Sequence, residues 1–125
     1  MSLNVTLRSA AGESHYQLDI AAGFTRALEL LPSIKQWNHW RLVVNEYPYD
    51  IAFGVHDLLV VKRAGVAERW ELNDAEKAEL EQILRDFVYP VYSLTFENSP
   101  SKRSAPHQYH LHVVRYHAKR EEMHL

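Results

Sequence analysis

The sequence predicts an α+β domain: an antiparallel sheet of about five strands, a long central helix and a short N-terminal helix. Three observations predict it. Short runs such as "NVTLRS", "HYQLDI" and "YHLHVVRY" alternate in character with the period of a strand. One stretch, "LNDAEKAELEQILRDFVYP", places its apolar residues at helical spacing instead. The chain's 125 residues are 46% hydrophobic and 24% charged, enough for one buried core and no linker to a second.

Taken in order, "NVTLRS" and "HYQLDI" flank the turn-forming "AAGES", which predicts a β-hairpin. "AAGFTRALELLP" follows, with Phe24, Leu28 and Leu31 on one helical face and Pro32 closing it. Trp40–Val44 reads as a buried strand that runs into a loop punctuated by Asn45, Pro48 and Asp50. "HDLLVVKR" is the next strand. In the long helix Asn73 caps the N-terminus, with Glu76 three residues on as its reciprocal partner. Leu80, Ile83, Leu84, Phe87 and Val88 form the apolar stripe, and Pro90 is expected to end it. "VYSLTFEN" and "YHLHVVRY" are two further core strands, joined by the polar loop "SPSKRSAP". The whole reads as a single domain, 1–125, with an N-terminal hairpin-and-helix extension (1–36), a core (37–116) and a solvated tail (117–125).

Composition narrows the function. A net charge of −2 gives no field for nucleic acid or anionic lipid. No apolar run approaches the roughly eighteen residues of a membrane span. The first residues lack the basic and apolar regions of a signal peptide. The absence of cysteine fits a cytoplasmic protein. The expected partners are therefore small molecules, with neither nucleic acid nor membrane among them.

Eight histidines stand out, and four of them lie between positions 107 and 117. In "QYHLHV", Gln108, His110 and His112 alternate with Tyr109, Leu111 and Val113. On a strand the first three share one face, with neighbouring side chains starting roughly 6–7 Å apart. The other face is apolar and built for burial. Three readings fit this row. It is the polar face of a half-buried strand; or it supplies two metal ligands, with His56, His107 or His117 completing the set; or it serves phosphoryl chemistry. For the last, a neutral imidazole is a nucleophile near pH 7, its neighbour can donate to a phosphate oxygen, and the basic "SKRS" loop lies beside them.

Three stretches in order carry a family resemblance. "RLVVNEYPYDIAFGVHDLLVVKR" looks like a strand, asparagine, proline loop and "H-x-L-V-x-P-[KR]" strand. "WELNDAEKAELEQIL" is similar to a linker and central helix that commonly starts "dLtdeE". "SLTFENSPSKRSAPHQYHLHVVRY" resembles a closing hairpin that ends in H-φ-H-φ-H-φ-φ. Over about residues 37–116 the chain thus resembles the histidine triad superfamily of nucleotide hydrolases and transferases.

The resemblance implies that His110 attacks the α-phosphate and forms a nucleotidyl-histidine, its other ring nitrogen held by a backbone carbonyl. It implies that His112 donates to a phosphate or leaving-group oxygen. Asn98 falls on a phosphate- or ribose-contacting amide and Asn45 on a residue facing the ribose hydroxyls. Ser101 and Ser104 fall in the phosphate loop. No metal or cofactor is implied. A homodimer is, with Trp70, Phe87 and Tyr89 as its apolar patch.

The chain also departs from that pattern. Gln108 replaces the first histidine, and its amide can do part of that residue's hydrogen bonding but cannot titrate. "KRSAP" stands in place of a glycine-containing phosphate loop, and Pro106 removes an N–H from it. The strand 56–61 lacks the proline that follows it in the family. Two functional readings therefore stand side by side with the metal-binding one: an enzyme acting on a nucleoside phosphoramidate or phosphoanhydride, or a pocket that binds a nucleotide or sugar phosphate without turnover.

Overall fold

Five strands pair antiparallel throughout the computed structural model, which describes residues 7–23, 28–99 and 107–117. They are β1 (Ser33–Gln36), β2 (Trp40–Val44), β3 (Val55–Val61), β4 (Leu94–Phe96) and β5 (His110–Arg115), in the spatial order β1-β2-β3-β5-β4. Helix α1 (Ala10–Ala22) precedes the sheet. Helix α2 (Asp74–Ile83) leaves β3 by way of a 3-10 turn, Arg69–Glu71, and delivers the chain to β4. Among the described residues no helix is long and apolar enough to cross a membrane.

The pleat sorts the strand residues onto two faces. Trp40, Leu42, Leu59, Val61, Leu111 and Val113 point to the helix side, where they pack with Leu80, Ile83 and Val88 and with Tyr109 from the approach to β5. This is the apolar face that the alternation of "QYHLHV" predicts. Each fully buried aliphatic side chain here contributes roughly 1.5–3 kcal/mol of transfer free energy. Val43, Leu58 and Val60 face the other way and are covered by Leu28 and Leu31. The histidines share that second face.

The central helix is shorter than expected, running from Asp74 to Val91 with only Asp74–Ile83 as regular α-helix before a π turn, but it begins as the sequence predicts. Asn73 accepts from the Glu76 N–H at 2.8 Å, and the Glu76 carboxylate accepts from the Asn73 N–H at 2.8 Å. Glu76 is itself buried, and Arg63 donates to both of its oxygens at 2.9 and 3.0 Å. That guanidinium holds the carboxyl below its usual pKa range. Trp40 ties sheet to helix by donating its indole N–H to the Glu76 carbonyl at 2.9 Å. Pro90 does not end the helix as expected. The ladder widens into a π turn over Leu84–Val88 and continues through Tyr89–Val91. A wide turn there has already released the bond that proline cannot make, so its ring is accommodated.

The N-terminal region corrects the sequence reading. The predicted hairpin is absent from the described residues: Ala10–Ala22, which contains "HYQLDI", is a helix. Its caps override the local alternation. The Ser9 hydroxyl accepts from the Gly12 N–H at 3.0 Å. Gly23 closes the other end at φ 73°, a left-handed conformation that favours glycine. Residues 4–6 of the hairpin and 24–27 of the predicted helix lie outside the described residues, and Leu28–Leu30 forms only a 3-10 turn. Ser33–Gln36, assigned to the extension, is an edge strand of the sheet, paired with β2.

Two truncations test this packing by urea unfolding. Ile83→Ala is expected to cost about 3 kcal/mol through the cavity it leaves. Asn73→Ala should cost about 1 kcal/mol through the lost cap. Equal effects would mean that the helix is not anchored by its buried stripe.

Candidate functional site

Register places the histidines. His112 pairs with Leu58 on β3 and with Phe96 on β4, His110 pairs with Val60, and His56 with Val114. Directly paired residues of an antiparallel ladder share a face. His56, His110 and His112 therefore point the same way, and all three are buried, His110 at 9% and His112 at 5% exposure. The rings of His110 and His112 are 5.2 Å apart, and those of His56 and His112 are 4.9 Å apart.

The hydrogen bonds fix which nitrogen carries each proton. The Tyr49 main-chain N–H donates to His56 Nδ1 at 2.9 Å, so in the neutral ring the proton sits on Nε2. That Nε2–H donates to His112 Nδ1 at 2.7 Å, which leaves the His112 proton on its own Nε2. His110 is set the other way. Its Nδ1–H donates to the Gln108 carbonyl at 2.9 Å and leaves the lone pair on Nε2. Two neighbouring rings thus present opposite chemistry, a lone pair on one and an N–H on the other.

Aromatic packing fixes the plane of His112. Phe96 stacks on it at 4.6 Å and 6°, and Tyr49 lies nearly parallel at 5.7 Å and 21°. The Asn98 amide donates to the Tyr49 hydroxyl at 3.1 Å and stands 3.5 Å from His112 Nε2. An oxygen of an anionic group can accept from both of these N–H donors at once.

Burial and like charge keep His56 and His112 neutral. Burial first, then the charges of Arg8 and His110, pushes His56 down to about 4. Burial, with His110, His56 and Arg8, pushes His112 down to about 2. Arg8 comes from the segment before α1. It donates to the Tyr47 carbonyl at 2.9 Å, and its guanidinium lies 5.0 Å from the Tyr49 ring.

The predicted site residues divide. His110, His112 and Asn98 come together. The Gln108 side chain does not join them: its amide donates to the main-chain carbonyls of Val61 and Arg63, the latter at 3.2 Å, so this residue meets His110 through its backbone. The strand begins only at His110, which frees the Gln108 side chain from the alternation. Asn45 forms a local turn, accepting from the Tyr47 N–H at 2.9 Å, and its amide nitrogen lies 3.2 Å from His56 Nδ1. Ser101 and Ser104 lie outside the described residues.

Of the further ligands weighed for a metal, His56 is hydrogen-bonded to His112 rather than splayed around a shared centre. His117 donates to the carbonyl of Asp50 at 3.0 Å, and His107 is exposed. Among the described residues no group of three or more histidine or carboxylate side chains is arranged to hold a metal ion. Tyr49, Phe96 and Arg8 are missing from the sequence prediction. His56 carried a signal, since "VHDLLVV" puts it in phase with an adjacent strand. Arg8 carried none.

No family model matches the chain, and no curated protein matches it. Among solved structures the chain is similar to a histidine triad protein from Clostridium difficile, determined at 0.95 Å. The two are 16% identical with a TM-score of 0.45, covering 79% of this chain and 87% of that one. A likeness of that size leaves the function to be argued from this chain's own residues.

The neutral rings make stability depend on pH. An unfolded histidine titrates near 6.5, so below that pH the unfolded chain binds more protons than the fold does. Stability is fully present above pH 6.5 and is lost as pH falls towards 4 for His56 and towards 2 for His112. The urea midpoint should drop between pH 7 and pH 5, and less steeply in His56→Gln. An equally steep fall in that variant would show that the ring is not held neutral. Long-range 1H–15N spectra at pH 7 should find the proton on Nδ1 of His110 and on Nε2 of His56 and His112. Finding His112 in the Nδ1–H form would break the chain of bonds.

Proposed function

We propose that this chain is a nucleotide-binding protein of the histidine triad type, which transfers the nucleotidyl group of a phosphoramidate or phosphoanhydride to water through His110. One observation carries the reading: the Nε2 lone pair of His110 beside the Nε2–H of His112. A nucleophile and a hydrogen-bond donor side by side are what attack at phosphorus requires. The family resemblance of residues 37–116 and the α+β sheet that presents the histidines support it.

In the first step the His110 Nε2 lone pair attacks the α-phosphorus, a P–N bond forms, and the bond to the leaving group breaks. A phosphoramidate nitrogen takes one proton from solvent before its bond to phosphorus breaks and departs as a neutral amine, and a phosphate departs as its anion. In the second step water attacks phosphorus, the electron pair returns to Nε2, and the surplus proton passes to solvent. His112 keeps its proton throughout. Together with the Asn98 amide it hydrogen-bonds the oxygen on which charge accumulates. The low pKa of His112 suits a donor that must stay neutral. Arg8, ion-paired with Glu13 at 3.1 Å, borders the site beside Tyr49. No cofactor is required. The absence of cysteine suits a cytoplasmic setting, and the exposed Trp70 and Tyr89 suit pairing into a homodimer, whereas Phe87 packs edge-on against Trp37 at 5.4 Å.

The burial of His110 and His112 favours a second reading, a pocket that holds a nucleotide or sugar phosphate without turnover. Mass spectrometry after mixing with a nucleoside phosphoramidate separates the two. A nucleotidyl adduct on His110, absent in His110→Asn, supports the enzyme, and His112→Phe should slow product formation on the order of 100-fold. Binding without adduct or product assigns the pocket instead. Neither binding nor adduct overturns both.

A further inference from the structure

The histidine cluster is shut. His56 is 4% exposed and His112 5%, so an anion bound for the His112 Nε2–H has to displace part of what covers the rings. On the side of the loop between β2 and β3 the cover is Tyr49, whose ring lies 4.6 Å from that of His56 and 5.7 Å from that of His112. The backbone of this loop is tied to the sheet. The Asn45 N–H donates to the His56 carbonyl at 3.3 Å, the Tyr49 N–H to His56 Nδ1 at 2.9 Å, and the Gly54 N–H to the Arg115 carbonyl at 2.9 Å. Its outer side is tied to residues 7–23. The Asp50 carboxylate accepts from the Ser9 N–H and hydroxyl, the Leu7 carbonyl from the Ile51 N–H, and Asp19 from the Tyr47 hydroxyl. The Arg8 guanidinium joins helix to site, 4.2 Å from the Tyr16 ring on α1 and 5.0 Å from the Tyr49 ring.

The two attachments differ in kind. The strands are pinned by the apolar core beneath the long helix, whereas α1 buries none of its side chains and holds on by hydrogen bonds and ring contacts. An element with so little apolar burial opens at a lower free energy than the sheet it rests on. We propose that residues 7–23 form a polar latch on the histidine site. The segment opens as one unit while the sheet stays folded, withdraws Arg8, and lets the Tyr49 ring turn off His112. The bonds that set the His56 tautomer lie on the sheet side of the loop, so the His112 N–H survives the opening and meets whatever enters. This latch stands apart from the transfer reading, since it gates a pocket that only binds as well as one that turns its ligand over.

The test follows, by NMR on the full chain, the exchange with water of the backbone amides and of the His112 Nε2–H. In the wild type the α1 amides should exchange together and faster than those of β3 and β5. Asp50→Asn keeps the shape of the side chain and removes the charge that holds Ser9. It should quicken exchange of the α1 amides and of the His112 proton by about ten-fold, the loss of one hydrogen bond to a charged group, and leave β3 and β5 unchanged. A covalent lock gives the converse. The chain has no cysteine, and a Cβ at Gly12 would lie 3.3 Å from an Asp50 carboxylate oxygen, so Gly12→Cys with Asp50→Cys sets two thiols side by side. The oxidised form should slow the His112 exchange and reduction should restore it. If the bridge does not form, Asp50→Asn against the wild type decides alone. One exchange rate shared by α1 and the sheet would overturn the latch. So would a His112 rate that neither variant moves, or a rise in Asp50→Asn that β3 and β5 share, which would make these bonds part of the fold's global stability.

Discussion

The site depends on one hydrogen bond, 2.7 Å between ring nitrogens of His56 and His112 on adjacent strands. Two imidazoles at that distance must share a single proton between them, so each ring's tautomer dictates the other's. The Tyr49 main-chain N–H sets the first ring, and the His112 donor at the far end follows from it. Nothing in the chain of bonds requires a titratable partner. A backbone amide starts it and a backbone carbonyl, that of Gln108, sets His110 in the opposite sense.

Keeping such a pair in register is the task of the fold. The β3–β5 ladder holds His56 and His112 on one face, diagonal to each other, and β4 brings Phe96 directly across to stack on the second ring. A slip of one residue on β5 would turn both of its histidines into the apolar helix-side core. Trp40, Leu59, Val61, Leu111 and Val113 oppose that slip because each is buried beneath the long helix. The core on one side of the sheet thus enforces the chemistry on the other.

The N-terminal segment bears on the site from outside the sheet. The Ser9 N–H and hydroxyl both donate to the Asp50 carboxylate, at 2.6 and 2.7 Å, the Ile51 N–H donates to the Leu7 carbonyl at 3.0 Å, and the Tyr47 hydroxyl donates to Asp19 at 2.7 Å. These bonds clamp the loop that carries Asn45 and Tyr49. Helix α1 buries none of its side chains, so polar contacts rather than an apolar stripe hold it in place. Through Arg8 the same segment lowers the proton affinity of His56 and His112, which reinforces the neutral tautomers that the hydrogen bonds select.

The sequence by itself determined the elements whose signals are local and repeated. Period-two alternation over β5 assigned Tyr109, Leu111 and Val113 to the core and His110 and His112 to one face, and the Asn73–Glu76 pair located the start of the long helix. That a carbonyl would hold His110 came from the family resemblance and not from the alternation. Tertiary structure decided what depends on residues far apart along the chain. His56 meets His112 across 56 positions and Arg8 reaches the carbonyl of Tyr47 across 39, distances at which no periodicity speaks. It decided as well against the N-terminal hairpin, where one serine and one glycine capping thirteen residues outweighed a short alternation. The physical reason is common to both: a strand pattern records which side of a sheet a residue faces, whereas the proton on a ring is set by whichever donor the fold brings to its other nitrogen.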